Sequence, residues 1–311
     1  MATESKLPRC EILPLADQQA SFRVAGHEKT RWHFNPDYPR PFFYPLNGPS
    51  GSSLTRMGHP GASNHDHHRS VWFAHNKVLG MDFWADGKEP RIRQHNWLVY
   101  VDGDDESVMA SEIGWYDGHD PRPLMKQVLV AALRPDEAGQ YQLELQATFI
   151  PTAASLELQQ TNFGMLAVRV AKNISSHFGG GTLTNSAGQV GEPAIFGKPA
   201  RWMDYSGPVP TAKGKATEGI TFVDHPDNPG QPTHWHVRED GWMGASLCFN
   251  APIMLKKDNP LTIRYLLDVH SGPISAKRAD RLHTEFSMRR PWKVFKGGQK
   301  HHSYTVQRVE A

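Results

Sequence analysis

The chain has 311 residues, 38% hydrophobic and 21% charged, which is enough apolar surface for a core and excludes a disordered chain. Its 34 basic and 32 acidic side chains leave a formal charge of +2, so nothing in the charge balance points to nucleic acid or an anionic membrane. Cys10 and Cys248 are the only cysteines, too few for a disulfide framework or a zinc knuckle, and are expected as free thiols in a reducing compartment.

The opening MATESKLPRCEILPL has no basic segment followed by an apolar one, and no run approaches the roughly 18 apolar residues of a membrane span. A cytoplasmic protein is expected. Residues 10–34 alternate around Ala25-Gly26-His27 and read as a hairpin. The next segment carries Pro36, Pro39, Pro41, Pro45 and Pro49, too many for a central strand, and reads as a rigid extended connection.

Residues 94–111 read as two strands around Asp102-Gly103-Asp104, and 123–134 as another. Gln140 to Phe149 alternates polar and apolar residues throughout, the pattern of a half-buried strand, and 155–159 repeats it briefly. Met165 to Val170 is a buried run broken by Arg169, and the Gly, Ser and Asn-rich block 175–191 reads as a long loop. Strand-like runs follow, each ending in Gly or Pro; only 275–287, with Ala276, Ala279, Leu282 and His283, suits a helix. The basic positions Arg289, Arg290, Lys293, Lys296 and Lys300 are broken by Pro291, Trp292 and Phe295 and read as a solvated terminal strand. Many short strands with few short helices predict an all-β fold, a large β sandwich forming a single domain over 1–311.

Chemistry concentrates in the stretch Gly58 to Trp84, which holds five histidines and two tryptophans in 27 residues. Read as extended, HDHHR sends His65, His67 and Arg69 to one face and Asp66, His68 and Ser70 to the other, with Trp72 and His75 beyond. A second cluster, VDHPDNPGQPTHWHVR, brings Asp224, His225, Asn228, His234, Trp235 and His236. Between the two lie Arg201, Trp202 and Asp204, and later His270 ends a strand. Aromatic faces suit the C–H side of a sugar ring, and polar neighbours suit its hydroxyls. The expected ligand is therefore a small-molecule carbohydrate, in one cleft lined by both histidine segments. His67 or His236 is expected as acid, Asp204 or Asp224 as base, and Arg69 or Arg201 as the group holding a carbonyl, carboxylate or hydroxyl. His65, His68, Trp72, His75, His225, Asn228, Trp235 and His270 are expected as binding residues.

A divalent metal held by His65, His67, His234 and His236 is the competing arrangement. Val71 and Trp72 occupy the positions where a cupin-like site needs a glutamate, which favours sugar over metal. No glycine-rich phosphate loop is present, so no cofactor is expected.

At HDHHRSVWFAHNKVLGMDFW, FGKPARWMDYSG and DHPDNPGQPTHWHVR the chain resembles the bacterial family called PmoA family or DUF6807, from about Arg40 to the C-terminus. The first name points to a membrane-embedded methane monooxygenase subunit, which this sequence does not fit, and is read as a mislabel. The family looks related to the galactose-mutarotase-like β supersandwich, which implies carbohydrate processing: an isomerase, a lyase or a glycoside-cleaving enzyme, or a binding protein without turnover. The mutarotase pattern of a catalytic glutamate near the C-terminus is not matched, since Glu285 falls in the expected helix.

Overall fold

In the strand Tyr141–Pro151 the apolar side chains Leu143, Leu145, Ala147 and Phe149 are fully buried, and so, almost, are the polar Gln142, Glu144 and Gln146 between them. The alternation holds, but both faces are covered. The computed structural model describes residues 7–59, 61, 65–87 and 89–310, with only the backbone of Gly298 and Gln299. Among these residues it is an all-β structure of two large antiparallel sheets facing each other across one apolar cluster.

Sheet one runs, in spatial order, β1 Cys10–Leu15, β2 Gln19–Val24, β3 His27–His33, β4 Phe42–Leu46, β5 Val71–His75, β11 Gly164–Arg169, β16 Trp242–Ser246 and β15 His234–Arg238. Sheet two runs β12 Thr182–Asn185, β13 Trp202–Thr211, β14 Gly214–Asp224, β18 Leu261–Ser271, β9 Tyr141–Pro151, β8 Met125–Pro135, β7 Ser107–Tyr116 and β6 Arg91–Val101. Two small ribbons complete it, β10 Ser155–Leu158 with β17 Ile253–Lys256, and β19 Trp292–Gln299 with β20 His302–Arg308.

Among the described residues the α-helices are short: α1 Ser176–Gly179, α2 Glu192–Ile195 and α3 Ala276–Ser287. Helix α3 starts where Ser275 accepts a hydrogen bond from the Arg278 N–H, and it packs Ala279 and Phe286 on Trp202, Val223 and Leu266 of sheet two. No described helix is long and apolar enough to cross a membrane.

Three expectations change. The proline-rich segment is not only a connection, since Phe42–Leu46, with Pro45, forms β4 between β3 and β5 inside sheet one. The block 175–191 is not a plain loop: it contains α1 and the strand β12, whose Leu183 and Asn185 are buried against β13. The basic tail is not merely solvated either. Arg308 and Arg289 reach Glu144 at 2.9 and 3.5 Å, and Gln146 exchanges hydrogen bonds with the Trp292 backbone at 2.7 and 2.8 Å. The C-terminal ribbon thus covers the polar side of β9, which satisfies groups whose burial would otherwise be costly.

Candidate functional site

Alternation in sheet one decides what its outer face carries. Val71, Phe73, Val168, Trp235, Val237, Met243 and Ala245 enter the core, while Trp72, Ala74, Ala167 and Trp242 form a separate outer cluster with Phe42 and Trp84. Small residues make room for the indoles. Trp72 pairs with Ala167 across the strands, and a Cβ on Gly244 would lie 3.1 Å from the Trp242 ring.

His65 to His68 fold over this aromatic floor as a tight turn, not a strand. The expected division of faces therefore fails: His68 joins His65 and His67 on one side. The His68 ring stacks on Trp242 at 5.4 Å and on Trp72 at 5.5 Å, and its centroid is 4.3 Å from that of His67. Buried Arg40 fixes the turn, donating to the His67 carbonyl at 3.1 Å, to the Phe83 carbonyl at 3.2 Å and to the Trp84 carbonyl at 2.5 Å. Pro60 and residues 62–64 of the histidine-rich stretch lie outside the described residues.

A cavity of about 290 Å³ opens here, lined by His65, His67, His68, Phe163, His236, Arg238, Asp240 and Trp242. The two histidine segments therefore meet in one cavity. His236 sits edge-on to Trp242 at 4.5 Å and to Phe163 at 4.7 Å, with its Nδ1 on the Asn162 carbonyl at 3.1 Å. Arg169, fully buried beneath, holds Asp240 with two hydrogen bonds of 2.8 and 3.1 Å, and Arg238 pairs with Glu192 at 3.0 Å.

Burial sets the charge state of these groups. It lowers His67 to about 4, helped by the Arg40 cation, and His236 to about 3, helped by Arg238. His68 falls further below the ordinary range, by burial and then the neighbouring His67, and burial lowers His65 as well. Burial, the largest single influence, would raise Asp240, but the hydrogen bonds and charge of Arg169 and the nearby Arg56 cation together outweigh it and hold the carboxylate below its usual value. At neutral pH the cavity presents uncharged imidazoles, each with one donor and one acceptor nitrogen, beside an ionised carboxylate. His67 and His236 are thus uncharged at rest.

The remaining expected residues lie elsewhere. Arg69 leaves the cavity for Asp86, with bonds of 2.8 and 2.6 Å, and lies over Tyr38. His75 is fully buried on the Gln159 carbonyl at 3.0 Å, and Trp235 is in the core, its indole N–H on the Ala200 carbonyl at 2.9 Å. Trp72 serves as floor beneath His68 and does not line the cavity. His234 lines an adjoining cavity, so the four expected metal ligands do not converge. Among the described residues no group of three or more His, Cys, Asp or Glu is arranged to hold a metal ion.

Asp204 and His270 point outward from sheet two, on the far side of the sandwich, which overturns their place in the same cleft. There His270 Nε2 meets Asp204 at 2.9 Å, with Ser206 and Thr221 donating to the same carboxylate at 2.5 and 2.8 Å. Arg201 pairs with Asp280 of α3 at 2.7 Å. Asp224 and Asn228 form a buried brace at the end of β14: Asn228 donates to Asp224 at 2.6 Å and to the Arg264 carbonyl at 2.8 Å. His225 contacts the Arg264 guanidinium at 2.8 Å under Phe286. None of Arg201, Asp204, Asp224, His225, Asn228 and His270 lines the histidine cavity.

Arg238, Asp240, Trp242 and Phe163 were not expected in the site. A signal existed for two of them: continuing the alternation of His234 and His236 reaches Arg238, and the Gly241 turn returns the chain at Trp242. Asp240 and Phe163 carried none, because their place depends on Arg169 and on strand neighbours distant in sequence.

A family model described as a family of unknown function, DUF6807, matches residues 19–284. The chain belongs to the DUF6807 family. No curated protein matches it. The match to DUF6807 spans the whole histidine cavity and β15, and ends within α3.

Proposed function

We propose that this DUF6807 protein is a carbohydrate-active protein that holds a sugar or sugar derivative in the histidine cavity. The observation that carries the reading is the layered chemistry of the cavity lining: an indole and a phenyl ring, Trp242 and Phe163, beside four imidazoles, Arg238 and Asp240. An aromatic face takes the C–H side of a pyranose, and the polar groups take its hydroxyls. Neutral imidazoles suit an uncharged polyol: His236, whose Nδ1–H donates to the Asn162 carbonyl, keeps Nε2 as an acceptor for a hydroxyl.

As an enzyme it would be an isomerase, a lyase or a glycoside-cleaving protein related to the mutarotase-like supersandwich. His67 and His236 would exchange protons with a ring or anomeric oxygen, and ionised Asp240 would orient a hydroxyl. A second reading, binding without turnover, is favoured by the clamp of Arg169 on Asp240, which leaves that carboxylate a poor base. A panel of mono- and disaccharides with keto and acid derivatives tests both, read by calorimetry for binding and by product analysis for turnover. Binding without turnover by any member rejects the enzyme; no binding by any member rejects carbohydrate.

A further inference from the structure

We infer that the cavity beside His234 is a second sugar subsite continuous with the histidine cavity, so that the ligand is a glycoside of at least two units lying along β15. The inference rests on the carbohydrate reading above and extends it. His234, His236 and Arg238 share one face of β15, and β16 lies beside it in the same sheet, pairing Ser246 with His234, Gly244 with His236 and Trp242 with Arg238. One two-stranded ribbon is therefore the floor of both cavities, and His234 and His236 are about 6.6 Å apart along it.

The second cavity, about 220 Å³, is lined among others by Thr233, His234, Ser246, Phe249 and Asn250. It repeats the chemistry of the first. The Phe249 ring lies nearly parallel to His234, 5.4 Å away and tilted 17°, and Asn250 Nδ2 is 3.0 Å from His234 Nε2. A half-buried ring, Phe196, links the two: it meets His236 at 5.1 Å, Phe249 at 6.4 Å and the Arg238 guanidinium at 4.6 Å. From Trp242 through His236, Phe196 and Phe249 to His234 the aromatic surface is unbroken. The Asn162 carbonyl also binds both sides, accepting from Ser246 Oγ at 2.7 Å and meeting His236 Nδ1 at 3.1 Å.

Size agrees with a shared ligand. The cavities, about 290 and 220 Å³, together fall well within the roughly 300–1,000 Å³ usual for a ligand pocket, whereas the first alone sits at its lower edge. With one unit on Trp242 and Phe163 and the next on Phe249 and His234, the bond between units lies over Phe196, next to His236.

Calorimetry of the full chain with cellobiose, maltose, lactose and trehalose, against glucose and galactose, tests this. At least one disaccharide is expected to bind about tenfold or more tighter than its component monosaccharides, the gain a second aromatic subsite supplies. His234→Ala, and separately Asn250→Ala as a milder change, are expected to remove that gain while monosaccharide affinity stays within about twofold, since neither side chain lines the first cavity. Monosaccharide binding with no disaccharide gain overturns the second subsite and leaves the carbohydrate reading standing. A gain that survives both variants also overturns it, and absence of binding by every sugar overturns both readings.

Discussion

The imidazole of His68 lies parallel to the indole of Trp242, with 5.4 Å between ring centroids and 3° between planes. Trp242 also supports His236 edge-on at 4.5 Å, so one side chain orders histidines from two segments far apart in sequence. Trp242→Ala should therefore remove sugar binding and lower stability by about 3–5 kcal/mol, the usual cost of deleting a buried aromatic. Trp242→Phe keeps an aromatic face and should fall between. Denaturant unfolding and calorimetry check both, and full affinity in Trp242→Ala would exclude the cavity as the sugar site.

The depressed histidines predict an acid limb. A histidine whose folded value lies below its unfolded one contributes stability that is present above about pH 6.5 and lost as pH falls through the folded value. For His67 the loss continues down to about 4 and for His236 to about 3. Ligand affinity follows the folded values instead: it should be flat from about pH 8 down to about 5 and weaken as pH falls towards about 4, where a protonated His67 loses its acceptor nitrogen. Proton NMR titration of the imidazole resonances measures this; a midpoint near 6.5 for His236 would refute the burial argument.

Much of this architecture was readable from periodicity, because alternation along a strand reports burial of one face directly. β9 and β10 appear where the sequence alternates, β7 and β8 overlap the strand-like runs at 94–111 and 123–134, and α3 lies within one residue of its expected start. The site was readable only as composition. HDHH and HWH announced themselves through polar and aromatic residues where a structural strand would place apolar ones. Which carboxylate joins them was not readable, since it depends on which sheet face a strand presents: Asp204 shows the same local pattern as a site residue, yet points from the opposite sheet. The turn at His65 to His68 was missed for a similar reason, its geometry being set by Arg40, held to four separate carbonyls.

The pair Asp204 and His270 should behave as a structural brace. Burial lowers the His270 value, but the hydrogen bond and charge of Asp204 outweigh it and raise it overall. A raised histidine contributes stability that is complete below about pH 6.5 and lost as pH rises through the folded value. Asp204→Asn should cost about 3–5 kcal/mol, the range for breaking a buried pair from one side, and flatten this alkaline limb. Sugar affinity measured at a temperature where the variant is folded should be unchanged. A selective loss of affinity would instead tie the far face of sheet two to the ligand.

Asp224 carries the opposite consequence for a carboxylate. It is fully buried, and burial pushes it up to about 7 although Asn228 and the Thr233 N–H hydrogen-bond to it. The unfolded chain holds this proton only below about pH 4, so between about 4 and 7 the folded state binds more protons. Stability from this group is then complete below about 4 and lost as pH rises to about 7. Asp224→Asn cannot ionise and should remove that slope, leaving the variant less pH-dependent between about 4 and 7 even if less stable at acid pH. Nor should it alter sugar affinity, since Asp224 lines neither the histidine cavity nor the one beside His234. Urea unfolding at a series of pH values reads the slope directly. Unchanged slopes in wild type and variant would mean that Asp224 is ionised when folded, and that the Asn228 and Thr233 donors outweigh the cost of burial.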